Sequence, residues 1–243
     1  MRHRFHTTGP LIAGSRVFLT GEEMHHARVT RLREGEEIEI FDGTGATAMG
    51  RLVALGADRW EVEIVGQAPG RESPRTIVLA MAVINLDRFE LVLQKATELG
   101  VLEIIPLLTD RLEVRPERFA GKRDRWRKII FEAVKQCGRA VVPTLAEGAS
   151  LSTVMQREGT KIVFDAGHPV SSPGDVLDPI ILFIGPEGGW SEAELSLAES
   201  SGARFEHLGP RRLRAETAAI VATTLIAARY GDLLGEPGAR HQP

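Results

Sequence analysis

Two stretches of this 243-residue chain place glycine, proline and ionisable side chains where an apolar run ends. Residues 181–190 read ILFIGPEGGW. A strand-like run enters Gly185, Pro186, Glu187, Gly188 and Gly189, and Ser191 with Glu194 then opens a helix as a capping box. Glycines at the C-terminal end of a strand let the backbone approach a ligand and offer it N–H groups. The stretch has neither the Gly-Lys-Ser/Thr of a P-loop nor the spacing G-x-G-x-x-G. Residues 207–218, HLGPRRLRAETA, repeat the arrangement. A strand passes through Gly209 and Pro210 into a helix whose small first residues, Ala215, Thr217, Ala218 and Ala219, allow close backbone packing. Either loop alone is compatible with a plain strand-to-helix turn. Two of them on neighbouring strand ends favour a cleft, because open α/β sheets bind ligands outside the carboxyl ends of their strands.

Other ionisable residues fall on helical stripes. Arg88, Lys95 and Glu98 share one, and Glu132, Gln136 and Arg139 form another at spacings of four and three. Spacing alone predicts surface pairs worth about 0.2–0.5 kcal/mol. His25 and His26 are adjacent and cannot both face one metal from a helix, and no acid-rich ligand set accompanies them, so no metal site is expected. Cys137 continues the apolar stripe of Trp126, Ile130 and Ala133, which favours a core thiol over a nucleophile. A single cysteine also excludes an intrachain disulfide framework.

The formal net charge of −3 conceals an uneven distribution. Residues 111–139 hold ten basic and four acidic residues, residues 1–33 six Arg and two Glu, and residues 204–214 four Arg and one Glu. Such patches attract phosphates even on a weakly acidic protein. Aromatic residues make up only 5%, which points to binding by charge and shape. Hydrophobic residues at 43% and charged residues at 26% describe a globular chain. The longest strictly apolar run, residues 77–84, is far short of a membrane span. The start, MRHRFH, has no apolar stretch behind it, so a secretory signal is not expected and the expected location is the cytoplasm.

These residues need a scaffold, and the pattern supplies two. Strands are expected at 16–19, 36–41, 47–53 and 59–65, with a helix at 22–32, giving a small β-barrel domain over 1–70. Residues 66–75, GQAPGRESPR, read as a linker. Strands at 76–83, 103–107, 161–165, 180–184 and 204–207 then alternate with helices at 87–99, 119–136, 151–157, after Ser191, and 214–230. Asp87 is expected to cap the first of these helices. This alternation implies a parallel α/β sheet covered on both faces, over 71–233, with a frayed tail at 234–243.

LFIGPEGGWSEAE and LGPRRLRAETA, with QKATELG at 94–100, EAVKQCGR at 132–139 and HHARVTRLR at 25–33, resemble the ribosomal RNA small-subunit methyltransferase E family. The likeness runs in order over nearly the whole chain. It implies a SPOUT-type sheet with a trefoil knot near its C-terminus and a PUA-like barrel in front; the residue pattern itself shows no knot. It also implies a homodimer in which S-adenosylmethionine methylates N3 of a uridine in 16S ribosomal RNA of the small ribosomal subunit. By motif, Ile184, Gly185, Pro186, Glu187, Gly188, Gly189, Leu208, Gly209, Leu213, Glu216, Thr217 and Ala218 would surround the cofactor. Arg88, Glu98, Arg139 and Arg214 would serve catalysis or substrate contact. Arg2, Arg4, Arg28, Arg31, Arg33, Arg111 and Lys135 would meet RNA. One departure is Ile84-Asn85-Leu86-Asp87-Arg88, where the family commonly carries a Lys before the Asp-Arg. Two competing readings are a non-catalytic RNA-binding module and a ribose 2′-hydroxyl methyltransferase.

Overall fold

The computed structural model describes residues 3–112, 114–171 and 174–235. Arg2 and residues 236–243 of the expected tail therefore lie outside the described residues. The chain forms two compact units, Met1–Glu72 with Val134–Val142, and Ser73–Ala133 with Pro143–Pro243. Residues 134–142, read from sequence as part of the second domain, thus group with the first.

The first unit contains β1 (Arg4–His6), β2 (Arg16–Leu19), α1 (Gly21–Val29), β3 (Glu37–Phe41), β4 (Thr47–Leu55) and β5 (Trp60–Gln67). Its sheet runs β1-β3-β4-β5-β2, with β1 parallel to β3 and the other neighbours antiparallel. Alternation along β5 sends Trp60, Val62 and Ile64 into a core with Phe5, Leu19, Ile38 and Leu52, which Ala27 of α1 joins. The β3–β4 connection is built on Asp42, whose Oδ1 accepts from the N–H groups of Thr44, Gly45 and Ala46 at 2.8, 3.0 and 3.0 Å. β1 escaped the sequence reading because three residues are too few to show a period.

Electrostatics explains why residues 134–142 group with this unit. Glu72 accepts from Arg139 Nη2 at 2.8 Å and Nε at 3.0 Å, and from the N–H groups of Ala140 and Val141 at 2.7 and 3.0 Å. Arg71 adds a bond to the Gly138 carbonyl at 3.2 Å.

The second unit contains β6 (Ile77–Ala82), α2 (Leu86–Glu98), β7 (Glu103–Leu108), α3 (Pro116–Ala120), most of α4 (Arg123–Cys137), β8 (Thr144–Leu145), β9 (Ala149–Ser150), α5 (Leu151–Met155), β10 (Thr160–Phe164), β11 (Ile180–Ile184), α6 (Glu192–Ser200), β12 (Arg204–Glu206) and α7 (Ala215–Tyr230). The sheet order is β12-β10-β11-β6-β7-β8, with β9 also on β7, and every pair is parallel. Val78, Ala80, Val163, Ile181 and Phe183 pack with Leu151, Val154 and Ala198 of α5 and α6. The alternate residues Ile77, Leu79, Ile162, Ile180 and Leu182 are equally buried, and α7 packs on β6, β11 and α2. Burial on both faces is why these strands read as continuous apolar runs.

Two helix boundaries differ from the sequence expectation. Asn85, not Asp87, caps α2, its Oδ1 accepting from the N–H groups of Asp87 and Arg88 at 3.1 and 3.4 Å. The helix expected over 119–136 is two helices, α3 and α4, separated at Gly121 and Lys122; Arg115 precedes Pro116, which starts α3 with the φ a first helical residue needs. Among the described residues no helix is long and apolar enough to cross a membrane.

Candidate active site

Because β10, β11 and β12 are parallel neighbours, their C-terminal ends lie along one edge. The loops leaving β11 and β12, with the start of α7, enclose a cleft of about 620 Å³ at that edge, a size typical of small-molecule sites. Phe164, Ile184, Trp190, Leu208 and Leu213 give it apolar walls.

The loop after β11 is held from several sides. Gly189 N–H closes a tight turn on the Pro186 carbonyl at 2.9 Å. Trp190 Nε1–H donates to the Phe164 carbonyl at 3.2 Å, tying the loop to β10. The capping box is present: Ser191 Oγ accepts from Glu194 N–H, and Glu194 Oε2 accepts from Ser191 N–H at 2.8 Å. Ser191 Oγ–H donates to Asp110 at 2.5 Å, while Asp110 N–H donates to Glu194 Oε1 at 3.0 Å.

Glycine is required at two points for different reasons. A Cβ on Gly185 would sit 3.0 Å from the Trp190 ring, tighter than an ordinary contact, so any side chain there must push the ring by a few tenths of an ångström. Gly209 has φ +89°, in the left-handed region, and a Cβ there would meet nothing within 4 Å. The first constraint is packing and the second is backbone conformation.

Arg88 reaches this region from α2. Its guanidinium lies 3.6 Å from Glu216 Oε1 and 3.9 Å from Glu187 Oε1, within ion-pair range but beyond a hydrogen bond. The second oxygen of each carboxylate is shielded from solvent and has no hydrogen-bond partner among the described residues. Two carboxylates therefore share one cation, and each keeps a desolvated acceptor for a cationic or proton-bearing ligand.

The expected site residues separate clearly. Ile184, Gly185, Pro186, Glu187, Gly189, Leu208, Gly209, Leu213, Arg214 and Ala218 line the cleft. Gly188, Glu216 and Thr217 are not among its lining: Gly188 turns its carbonyl to Arg111, Glu216 meets Arg88, and Thr217 is exposed. Glu98 pairs with Lys95 at 2.9 Å and does not line the cleft. Arg139 is only 3% exposed, is bound to Glu72 and belongs to the first unit. Lining residues not expected from sequence include Phe164, Asp165, Trp190, His207, Arg211 and Arg212. Phe164 and Asp165 were hidden because only the β10–β11 pairing brings them to this edge.

Of the arginines expected to meet RNA, Arg28, Arg31, Arg33 and Arg111 are exposed. Two others of that set are placed differently. Arg4 is 9% exposed, binds Glu39 at 2.7 Å, and burial outweighs that pairing to hold its guanidinium below the ordinary arginine range. Lys135 is ion-paired to Glu23 at 2.8 Å with little side-chain exposure. Both are engaged inside the first unit. Cys137 is half-buried, its Sγ 3.7 Å from the Val134 carbonyl. No group of three metal-ligating side chains converges among the described residues.

Comparison with known proteins places this geometry. The RNA methyltransferase domain family matches residues 71–227, and the RNA methyltransferase PUA domain family matches residues 19–65. The ribosomal RNA small subunit methyltransferase E of Bacillus subtilis is 32% identical over 237 residues, covering 90% of this chain and 92% of that protein. The chain belongs to the ribosomal RNA small subunit methyltransferase E family. The Synechocystis member is 30% identical over 240 residues, covering 94% of this chain and 78% of that protein. Among solved structures, the Neisseria gonorrhoeae member bound to S-adenosylmethionine superposes with a TM-score of 0.86 at 33% identity, covering 96% of this chain and all of that one. A Legionella pneumophila methyltransferase structure with bound S-adenosylmethionine gives 0.81 at 33% identity, with 96% and 100% coverage. The chain is thus a ribosomal RNA methyltransferase, with a parallel α/β catalytic sheet and a PUA domain.

Proposed function

We propose that this chain transfers a methyl group from S-adenosylmethionine to N3 of a uridine in 16S ribosomal RNA, as a cytoplasmic homodimer whose catalytic domain carries the family's trefoil knot. The observation that supports the reading best is the cleft at the ends of β10, β11 and β12, walled by two glycine-bearing loops in a member of this family. The residues present suit the cofactor: apolar walls for its adenine ring and aliphatic chain, and the Glu187 carboxylate, with one desolvated oxygen, for its positive charge. When bound, S-adenosylmethionine supplies an electrophilic methyl group on a sulfonium.

The chain's own work is to position, to exclude water and to manage one proton. Displacement at a methyl carbon is in-line, so a rigid loop pair contributes by orientation. Losing the N3 proton spreads negative charge onto the two flanking uracil carbonyls. Arg214, one of three arginines lining the cleft, and Arg88 beside Glu187 would stabilise that charge. Glu187 lines the cleft and keeps an unpartnered oxygen, which suits it to accept the proton.

The test is turnover on small ribosomal subunits lacking the modification, at saturating cofactor, with mass analysis of the digested RNA. Arg88→Ala and Arg214→Ala should each lower kcat by about 100-fold or more. Near wild-type rates in both would overturn the mechanism, and a methyl group on ribose would overturn the N3 assignment.

A further inference from the structure

Two arginines from different loops hold consecutive carbonyls of the loop after β11. Arg111, beyond the end of β7, donates from Nη1 to the Gly188 carbonyl at 2.9 Å. Arg212, between β12 and α7, donates from Nη2 to the Glu187 carbonyl at 2.7 Å. Both side chains are exposed, and neither pairs with a carboxylate among the described residues. The nearby Glu187 carboxylate is engaged by Arg88 instead. A guanidinium has five N–H donors, and one carbonyl bond occupies one of them.

Two exposed cations are thus docked on consecutive carbonyls of the same loop. An anion bridging them would be attracted to both. A phosphodiester fits this chemistry, because its two non-bridging oxygens can each accept from one guanidinium fork. The carbonyls held belong to the loop that lends Gly185, Glu187 and Gly189 to the cleft.

We propose that Arg111 and Arg212 clamp one RNA backbone phosphate, and that its binding stiffens the loop after β11 and so tightens S-adenosylmethionine binding. This rests on the cofactor site proposed above. Linkage requires the converse too: bound cofactor strengthens RNA binding by the same factor.

The test measures S-adenosylmethionine Kd by calorimetry on the full chain in three conditions: alone, with a single-stranded RNA oligonucleotide lacking uridine so that no turnover occurs, and with inorganic phosphate at matched ionic strength. RNA should lower Kd by about 5–10-fold, and inorganic phosphate, which lacks the rest of the backbone, should lower it less and only while both arginines are present. In Arg111→Met and Arg212→Met, which keep an unbranched stem, the ratio of Kd without and with RNA should fall towards one. RNA affinity in each variant should also lose about one unit of salt slope. A merely structural role would weaken cofactor binding equally with and without RNA and leave the ratio intact. A wild-type ratio of one, an unchanged ratio in both variants, or an effect of inorganic phosphate that survives both substitutions would each overturn the clamp. Absence of any S-adenosylmethionine binding to the wild-type chain would remove the proposed function as well, whereas binding without coupling removes only this inference.

Discussion

Gly185→Ala tests whether the cleft depends on close contact between bare backbone and the Trp190 ring. The new Cβ would lie 3.0 Å from Cε2, 3.2 Å from Cδ2 and 3.2 Å from Nε1 of Trp190. The indole is 6% exposed and packs in the core that borders the cleft. Its Nε1–H already donates to the Phe164 carbonyl at 3.2 Å, so a displacement of a few tenths of an ångström endangers that bond. Overpacking of this kind costs about 1–3 kcal/mol, and a lost hydrogen bond about 1 kcal/mol. For a chain of this size, each kcal/mol lowers Tm by about 2–4 °C, so a fall of roughly 4–16 °C is expected if the units melt together. Because the same loop walls the cleft, S-adenosylmethionine affinity should fall by about 10-fold, equivalent to about 1.4 kcal/mol. Differential scanning calorimetry and titration calorimetry read the two effects. Trp190→Phe in the Gly185→Ala background supplies the control, since a smaller ring relieves the overlap and the two substitutions should be non-additive. Wild-type stability and affinity in Gly185→Ala, or strict additivity in the double variant, would refute the reasoning.

Two further outcomes follow from the first unit. Glu72→Ala removes the acceptor of four bonds around a guanidinium that is 4% exposed, so urea denaturation should show a loss of about 3–5 kcal/mol. At Asp42, burial alone would raise the carboxyl, but hydrogen bonds from the Thr44 hydroxyl and from the N–H groups of Thr44, Ala46 and Gly45 outweigh it and hold the group below the ordinary carboxylate range. Its contribution is therefore complete above the unfolded value, about pH 4, and is lost as pH falls through the lower folded value. Asp42→Asn should flatten that acid limb in pH-dependent unfolding; an unchanged limb would contradict the assignment.

Much of the catalytic unit was legible because its signals are local. Burial of β6 and β11 on both faces demands uninterrupted apolar runs, and residues 77–82 and 180–184 show them. The capping box at Ser191 and Glu194 lies within four residues, so its chemistry is written in one window. Local signals also misled. Asp87 is as good a cap as Asn85, and only the chain's path after β6 selects the earlier residue. An apolar period carried the helix reading of 119–136 across the break at Gly121.

The charged residues divide differently. Arg4, Lys135 and Arg139 have the same sequence character as Arg28 and Arg33, yet they are engaged by Glu39, Glu23 and Glu72, which lie 35, 112 and 67 positions away. No local pattern encodes such a partner; sheet order and the return of residues 134–142 to the first unit create it. The glycine loops, the covered strands and the family likeness were set by residue order, because backbone freedom and burial period are properties of neighbours in the chain. Which arginines keep their charge for a ligand was decided by tertiary structure alone, because a guanidinium's availability depends on the carboxylate that folding brings beside it.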